Sequence, residues 1–214
     1  MCIDCWDLDE TILDRNRFFA PAIKRVAEVS GRSEAEVAAA LSRVGKTTFT
    51  FAAWFRELGI TEEVRPVLEA ELRADLMVRA PSCVYPGMRE LLAERKRQGV
   101  RQVLISAGDP DYQAWKFGLL GLNDIFSPAD RHFVPRNGSK AAVVAVYASY
   151  GTITVIDDHV DWLTEILDQC AVHCIRPRWP GANHAEPHVL DNQSWQVATT
   201  IEELHHLLNR GLDE

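Results

Sequence analysis

Lysine is scarce in this chain, with five lysines among 23 basic residues, set against 31 acidic ones, for a formal net charge of −8 over 214 residues. A surface with that balance lacks the dense positive field that nucleic acid or an anionic membrane requires. Neither is expected as a partner. Long apolar runs are missing too. None approaches the roughly 20 residues of a membrane span, and the charged start from Met1 to Asp14 lacks a signal-peptide layout. The expected location is therefore the cytoplasm. Paired cysteines are the third lack: Cys2, Cys5, Cys83, Cys170 and Cys174 are odd in number and without the dense even spacing of a secreted scaffold. They are expected to be reduced. Cys2 and Cys5 form C-x-x-C, and Cys170 with Cys174 could complete four sulfurs for zinc. Positions three apart on a strand face opposite sides, however, so small buried hydrophobes is the better account. No internal repeat or low-complexity linker appears. Hydrophobic residues at 47% and charged residues at 25% are ordinary for a globular protein. The length suits one large domain, or one domain with an insertion.

The stretch around which the chain is organised is Asp7-Leu8-Asp9-Glu10-Thr11. The apolar residues Ile3, Cys5, Trp6 and Leu8 make a run too short for a helix, so a strand ending near Asp7 is expected. Residues two apart in an extended segment point to the same side, which lets Asp7 and Asp9 reach into one space. One can attack while the other carries protons. Two like charges so close also favour a cation between them, and a hard oxygen-liganded ion such as Mg²⁺ is the natural one.

From Pro21 to Pro81 the pattern is helical. Pro21 to Val29 ends at Gly31, and Ser33 to Glu36 reads as a capping box opening a helix over Ala35 to Val44. Phe49, Ala52, Ala53, Trp54 and Leu58 mark a third amphipathic stretch. A fourth begins at Thr61 and carries Val64, Leu68, Leu72, Leu76 and Met77 on one face. Beyond Tyr85-Pro86-Gly87 helices and strands alternate. Helices are expected at Met88–Gln98, Tyr112–Leu122, Ala141–Tyr150, Trp162–Cys170 and Ile201–Asn209, and strands at Val100–Ser106, Thr152–Ile156 and Val172–Ile175. That alternation implies an α/β fold with a parallel sheet and right-handed crossovers, in which ligands sit at the carboxyl ends of the strands. Asp7, Ser106 and Asp158 each stand at such an end.

The run Cys5-Trp6-Asp7-Leu8-Asp9-Glu10-Thr11 resembles the first motif of the haloacid dehalogenase-like hydrolase superfamily, D-x-D-x-T after a hydrophobic strand. Val103-Leu104-Ile105-Ser106 looks like the second motif, Lys140 like the third, and Ile156-Asp157-Asp158 like the fourth, in the family's order. The resemblance covers nearly the whole chain. It implies a Rossmann-like core over residues 1–18 and 82–214, and a helical cap over 19–81, placed as in members resembling phosphoglycolate phosphatase.

The resemblance also implies roles. Asp7 would be the nucleophile that forms an aspartyl-phosphate, its other oxygen binding Mg²⁺. Asp9 would protonate the leaving oxygen and later deprotonate water, its backbone carbonyl serving the metal. Haloacid dehalogenases generally lack that second acid, so Asp9 argues for phosphoryl transfer over carbon–halogen hydrolysis. Thr11 would support the loop at the phosphate site. Glu10 stands where the family most often has glycine. The Ser106 hydroxyl and the N–H groups around Ala107 and Gly108 would face a phosphate oxygen. Lys140, one residue after the expected N-cap Ser139, would neutralise the phosphate; Lys116 lies mid-helix, where a solvated role is expected. Asp158 would be the direct metal ligand and Asp157 its outer partner, in an order that adjacent acids leave open, with Asp161 as a possible helix cap.

Three other stretches carry less. Gly45-Lys46-Thr47 resembles the tail of a Walker loop, but Ala40 stands where its first glycine belongs; Lys46 could still reach substrate from the cap. His184, Glu186 and His188 are not a zinc helix, since Pro187 would break it. Arg176 to Trp179 follows a strand end and could border the cleft, with a packed surface loop the favoured reading. The function implied is a Mg²⁺-dependent phosphatase for a small phosphorylated metabolite. The alternatives are a phosphomutase, or a non-catalytic binding protein on the same fold.

Overall fold

The computed structural model describes residues 1–45, 49–182 and 195–210. The Walker-like Lys46 and Thr47, and His184, Glu186, Pro187 and His188, lie outside these residues.

The chain opens with strand β1 (Cys2–Trp6), followed by the helices α1 (Arg15–Ser30), α2 (Glu34–Gly45), α3 (Phe51–Glu57) and α4 (Arg65–Arg79). There follow α5 (Met88–Arg97), β2 (Arg101–Gly108), α6 (Pro110–Leu119), β3 (Arg131–Pro135), α7 (Lys140–Tyr147), β4 (Thr152–Ile156), α8 (Val160–Gln169), β5 (His173–Pro177), β6 (Gln196–Ala198) and α9 (Ile201–Arg210). The strands form one six-stranded parallel sheet in the order β3-β2-β1-β4-β5-β6. This is the expected α/β, Rossmann-like arrangement. Sequence order reverses on either side of β1, which places the end of β1 at the topological switch point, where open parallel sheets bind ligands.

Helices cover both faces, so the central strands read as nearly continuous apolar runs. On one face Ile3, Cys5, Val103, Ile105 and Val155 pack against Ala141 and Val144 of α7 and Leu163 and Ile166 of α8. On the other, Trp6, Leu104, Ile156 and Ile175 join a larger cluster that runs through α5 and α9 into α1–α4. Cys5 and Cys174 sit inside the first cluster as small apolar side chains. Asp4 points from β1 toward α5, where Arg95 donates Nε and Nη2 to its two oxygens at 2.8 and 3.0 Å with both side chains buried. Burying one charge unpaired would cost several kcal/mol, so the two must come in together.

Helix α1 begins six residues before the expected start at Pro21, capped by Asp14, whose Oδ1 accepts from the Arg17 N–H at 2.9 Å. A proline inside a helix removes the bond to the carbonyl four residues back. Here that carbonyl belongs to Arg17, and Arg79 Nη1 of α4 donates to it at 2.8 Å, with Nη2 donating to Phe18 O at 2.6 Å. The lost bond is thus replaced from outside the helix. The capping box at Ser33 is present: Ser33 N–H donates to Glu36 Oε2 at 2.9 Å and Glu36 N–H to Ser33 Oγ at 3.3 Å. Strands β3 and β6 were not expected. Each lies at a sheet edge, where one half-buried strand carries Arg131 and His132 and the other spans only three residues. Neither leaves an apolar run to read.

Candidate active site

The strand ends converge on a cleft of about 660 Å³, walled on the far side by α1, α2 and Phe49. Asp7 leaves β1 with its N–H bonded to Ile156 O of β4 at 2.8 Å, and Asp157 leaves β4 with its N–H bonded to Ile175 O at 3.2 Å. The two carboxylates therefore emerge side by side. Lys140, at the first turn of α7, stands between them, its Nζ donating to Asp7 Oδ1 and to Asp157 Oδ2, both at 2.6 Å. Ser139 caps that helix, accepting from the Ala142 N–H at 3.0 Å.

Carboxylate oxygens of Asp7, Asp157 and Asp158 lie within 4.8 Å of one another. Asp157 engages both of its oxygens, the second accepting from the His159 N–H at 2.9 Å. Burial raises the Asp7 carboxyl to about 7, with Asp157 and Asp9 adding to the rise and Lys140 opposing it. Asp158 is pushed well above the carboxylate range by burial, then by the charges of Asp157 and Asp7. Burial alone would lower the Lys140 ammonium, but Asp157 and Asp7 outweigh it and hold the charge in place. An all-oxygen donor set with this much crowded negative charge fits a hard divalent cation.

Asp9 lines the same cleft but faces α6. Lys116 Nζ donates to both of its oxygens at 2.6 Å, Gln113 Nε2 to Oδ2 at 3.2 Å, and Arg15 Nε stands 4.0 Å from Oδ1. Burial would raise Asp9, but the charges of Lys116 and Arg15 with the two hydrogen bonds hold it below its ordinary value. Lys116 is 2% exposed, so the solvated role expected for it is wrong. The helix is turned so that Tyr112, Gln113, Lys116 and Phe117 form its buried side. Glycine at 108 permits this approach, since a Cβ there would come within 2.6 Å of Gln113 Nε2.

Glu10 has φ of 58°, a left-handed conformation that explains why glycine suits the position. Its side chain is buried and accepts from Tyr85 Oη at 2.8 Å. Thr11 and Ser106 are buried, and the hydroxyl of each has no hydrogen-bond partner among the described residues. Ala107 and Gly108 line the cleft. The loop is tied through the Thr11 carbonyl, which accepts from Trp179 Nε1 at 3.0 Å. Trp179 and Arg176 are therefore not surface residues: both are buried, and Arg176 lines the cleft while its Nε donates to Asp158 O at 3.0 Å. Asp161 does not cap α8. His159 holds that position, and Asp161 lies exposed in the first turn.

The model of the haloacid dehalogenase-like hydrolase family matches residues 5–164, and the chain belongs to that family. It is therefore a hydrolase by family, on a fold shared with many solved structures. No curated protein sequence matches it. A protein of Burkholderia xenovorans described as a haloacid dehalogenase-like hydrolase is 16% identical, covering 99% of this chain and 98% of its own with a TM-score of 0.76. One of Thermotoga maritima described as a β-phosphoglucomutase is 16% identical over 98% and 99% of the two chains, with a TM-score of 0.67. A phosphatase of the family from Thermococcus onnurineus is 19% identical over 97% and 98%, with a TM-score of 0.62. At such identities the likeness speaks for the fold.

Proposed function

We propose that the chain is a Mg²⁺-dependent phosphatase that hydrolyses a small phosphorylated metabolite through an aspartyl-phosphate on Asp7. The observation that carries this reading is the pair of carboxylates with opposite surroundings in one cleft. Asp7 sits with Asp157, Asp158 and Lys140, and Asp9 sits apart under Lys116 and Gln113. Without metal, burial favours neutral Asp7 and the Lys116 and Arg15 charges favour ionised Asp9; a cation at the carboxylate cluster would restore an ionised nucleophile at Asp7, and Asp9, outside that cluster, is the second carboxylate in the cleft that can carry a proton.

Asp7 Oδ1 is held by Lys140, which fixes the carboxylate for attack on phosphorus, and the same ammonium would balance the incoming phosphate. The Ser106 hydroxyl, which has no partner among the described residues, and the backbone N–H of Ala107 would donate to a phosphoryl oxygen, with Thr11 supporting the loop. Asp9 would hand a proton to the leaving oxygen and recover one from the water that clears the intermediate. The residues that would hold Mg²⁺ are Asp7, Asp158 and the backbone carbonyl of Asp9, with Asp157 behind them because Lys140 and His159 occupy its oxygens. When bound, the ion would neutralise phosphate charge and polarise its oxygens.

Residues 19–81 would form the cap that closes the cleft over small substrates, and 1–18 with 82–214 the core. A cytoplasmic setting accords with five free cysteines.

The test is release of inorganic phosphate from a panel of phosphorylated metabolites, with Mg²⁺ and with chelator. Metal-dependent release is expected. Full activity in chelator would overturn the mechanism, and transfer of the phosphoryl group to a second substrate in place of water would mark a phosphomutase. Substrate binding with no turnover of any ester would leave a binding protein.

A further inference from the structure

The turn between β1 and α1 carries two costs that a simpler sequence would avoid. Glu10, with φ of 58°, is the one non-glycine residue of positive φ among the described residues, and in that conformation a Cβ strains the backbone where glycine does not. Its carboxyl group is also buried, at 5% exposed, and so is taken out of water. Glycine at this position would avoid both. The side chain is therefore worth keeping only for what it adds to the turn.

What it adds is a tie. Glu10 Oε2 accepts from Tyr85 Oη at 2.8 Å, and Tyr85 is itself fixed twice: its main-chain N–H donates to Ile12 O at 3.0 Å, and its ring packs against Trp179 at 5.4 Å. Trp179 in turn donates to Thr11 O. Residues 10, 11 and 12 are thus each held by groups from distant parts of the chain. From within, Leu13 N–H donates to Leu8 O and Glu10 N–H to Leu13 O, both at 2.8 Å.

The angle φ of Glu10 sets how the Asp9–Glu10 peptide plane is turned against the residues that follow, and that plane contains the Asp9 carbonyl. The peptide is trans and its N–H is bonded to Leu13 O, so the carbonyl points the opposite way, out of the turn. An untied glycine would let the plane rock about this bond. A tied Glu10 holds it at one angle, and Mg²⁺ demands near-ideal ligand geometry.

We propose that Glu10 and Tyr85 are positioning residues that aim the Asp9 carbonyl, so that the affinity of the site for a divalent cation depends on a hydrogen bond outside its own ligands. This deepens the reading given above and rests on it for the Asp9 carbonyl as a ligand of Mg²⁺.

The test is calorimetric titration of Mg²⁺ into the substrate-free protein. Glu10→Gly suits the left-handed backbone but cuts the tie, Tyr85→Phe cuts it from the other side while keeping the ring, and Glu10→Gln keeps an acceptor for the Tyr85 hydroxyl. Glu10→Gly and Tyr85→Phe should each raise the Kd for Mg²⁺ about tenfold, with Glu10→Gln within about twofold of the wild type. Combining Glu10→Gly with Tyr85→Phe should weaken binding no further than the weaker single variant, since both remove the same bond. Melting in chelator establishes that each variant is folded. A tie that only stabilises the fold would lower the melting temperature and leave the Kd unchanged, and that result would overturn the proposal. So would equal losses in Glu10→Gln and Glu10→Gly, which would assign the effect to the carboxylate charge, or losses that add in the double variant. Phosphate release separates the two readings. If the Kd values rank as expected and no ester is hydrolysed, the tie stands and the phosphatase reading falls. If esters are hydrolysed with Mg²⁺ and Glu10→Gly binds the ion as the wild type does, the tie falls alone. A wild type that binds no Mg²⁺ would overturn both.

Discussion

Lys116 Nζ donates to both carboxylate oxygens of Asp9 at 2.6 Å from a position only 2% exposed. A buried ammonium and a carboxylate in that geometry hold each other rigidly, so Lys116 sets where the Asp9 oxygens can point. Lys116→Met keeps the length and apolar stem of the side chain but removes the charge. Turnover on an alkyl phosphate should then fall at least tenfold, equivalent to about 1.4 kcal/mol of barrier. The loss should be smaller on an aryl phosphate, whose leaving group needs less help from a proton. Equal activity of variant and wild type on both esters would show that Asp9 works without this clamp.

Lys140 holds a different balance. Its ammonium separates two carboxylates, and removing it leaves Asp7 and Asp157 facing one another in a buried site. Lys140→Met should cost about 3–5 kcal/mol of stability in chelator, the usual penalty for breaking a buried ion pair from one side. Turnover should drop by tenfold or more. Urea midpoints with and without Mg²⁺ check this, since added cation should recover part of the lost stability. A variant as stable as the wild type in chelator would mean that the carboxylates carry no such strain.

Much of this site was legible in the sequence because its residues sit where chain direction changes. Asp7 and Asp157 each follow a short apolar strand, and Ser139 with Lys140 opens a helix with an ordinary cap signal. Local patterns of that kind place a side chain at a strand end or helix start without knowledge of the rest. Lys116 was not legible. It lies within a helix whose polar residues Gln113 and Lys116 share the buried side with Tyr112 and Phe117, so its surroundings are set by packing against β2, β3 and the loop of Asp9 rather than by neighbours in sequence. The signal that could have found it is Gly108, which leaves room for Gln113 beside Asp9. Arg79, likewise, repairs the proline break in α1 from 62 residues away, a distance at which no local pattern speaks. The early start of α1 and the edge strands β3 and β6 were missed for the same reason: each depends on partners supplied by other elements.

Asp157 and Asp158 are adjacent in sequence but differ in commitments, and this separates their expected phenotypes. Asp157 has both oxygens in hydrogen bonds to Lys140 and His159, while burial and then the charges of Asp157 and Asp7 push Asp158 well above the carboxylate range against the pull of Lys140, a cost that a bound cation would relieve. Asp158→Asn should remove most of the stabilisation that Mg²⁺ gives, which for an ion at 100 times its Kd is about 2.7 kcal/mol. Asp157→Asn should lower stability in chelator yet retain a clear response to Mg²⁺. Melting curves across a Mg²⁺ titration decide between them, and the reverse ranking would exchange the two roles.

The raised Asp7 carboxyl makes metal-free stability depend on pH in a definite direction. An unfolded aspartate titrates near 3.8, while burial raises the folded one to about 7. Between those values the folded protein binds more protons than the unfolded chain, so stability must fall as pH rises through that window and level off above it. Asp7→Asn cannot titrate. The difference in urea midpoint between wild type and Asp7→Asn, measured in chelator at pH 5, 6 and 7, should therefore shift against the wild type with each step upward, with the titrating groups remote from the site cancelling between the two proteins. Saturating Mg²⁺ should flatten the trend, because a cation at the carboxylates favours their ionised form and opposes the effect of burial. Parallel pH profiles for the two proteins in chelator would show that Asp7 is not held in its neutral form, and would remove burial as the source of its distinction from Asp9.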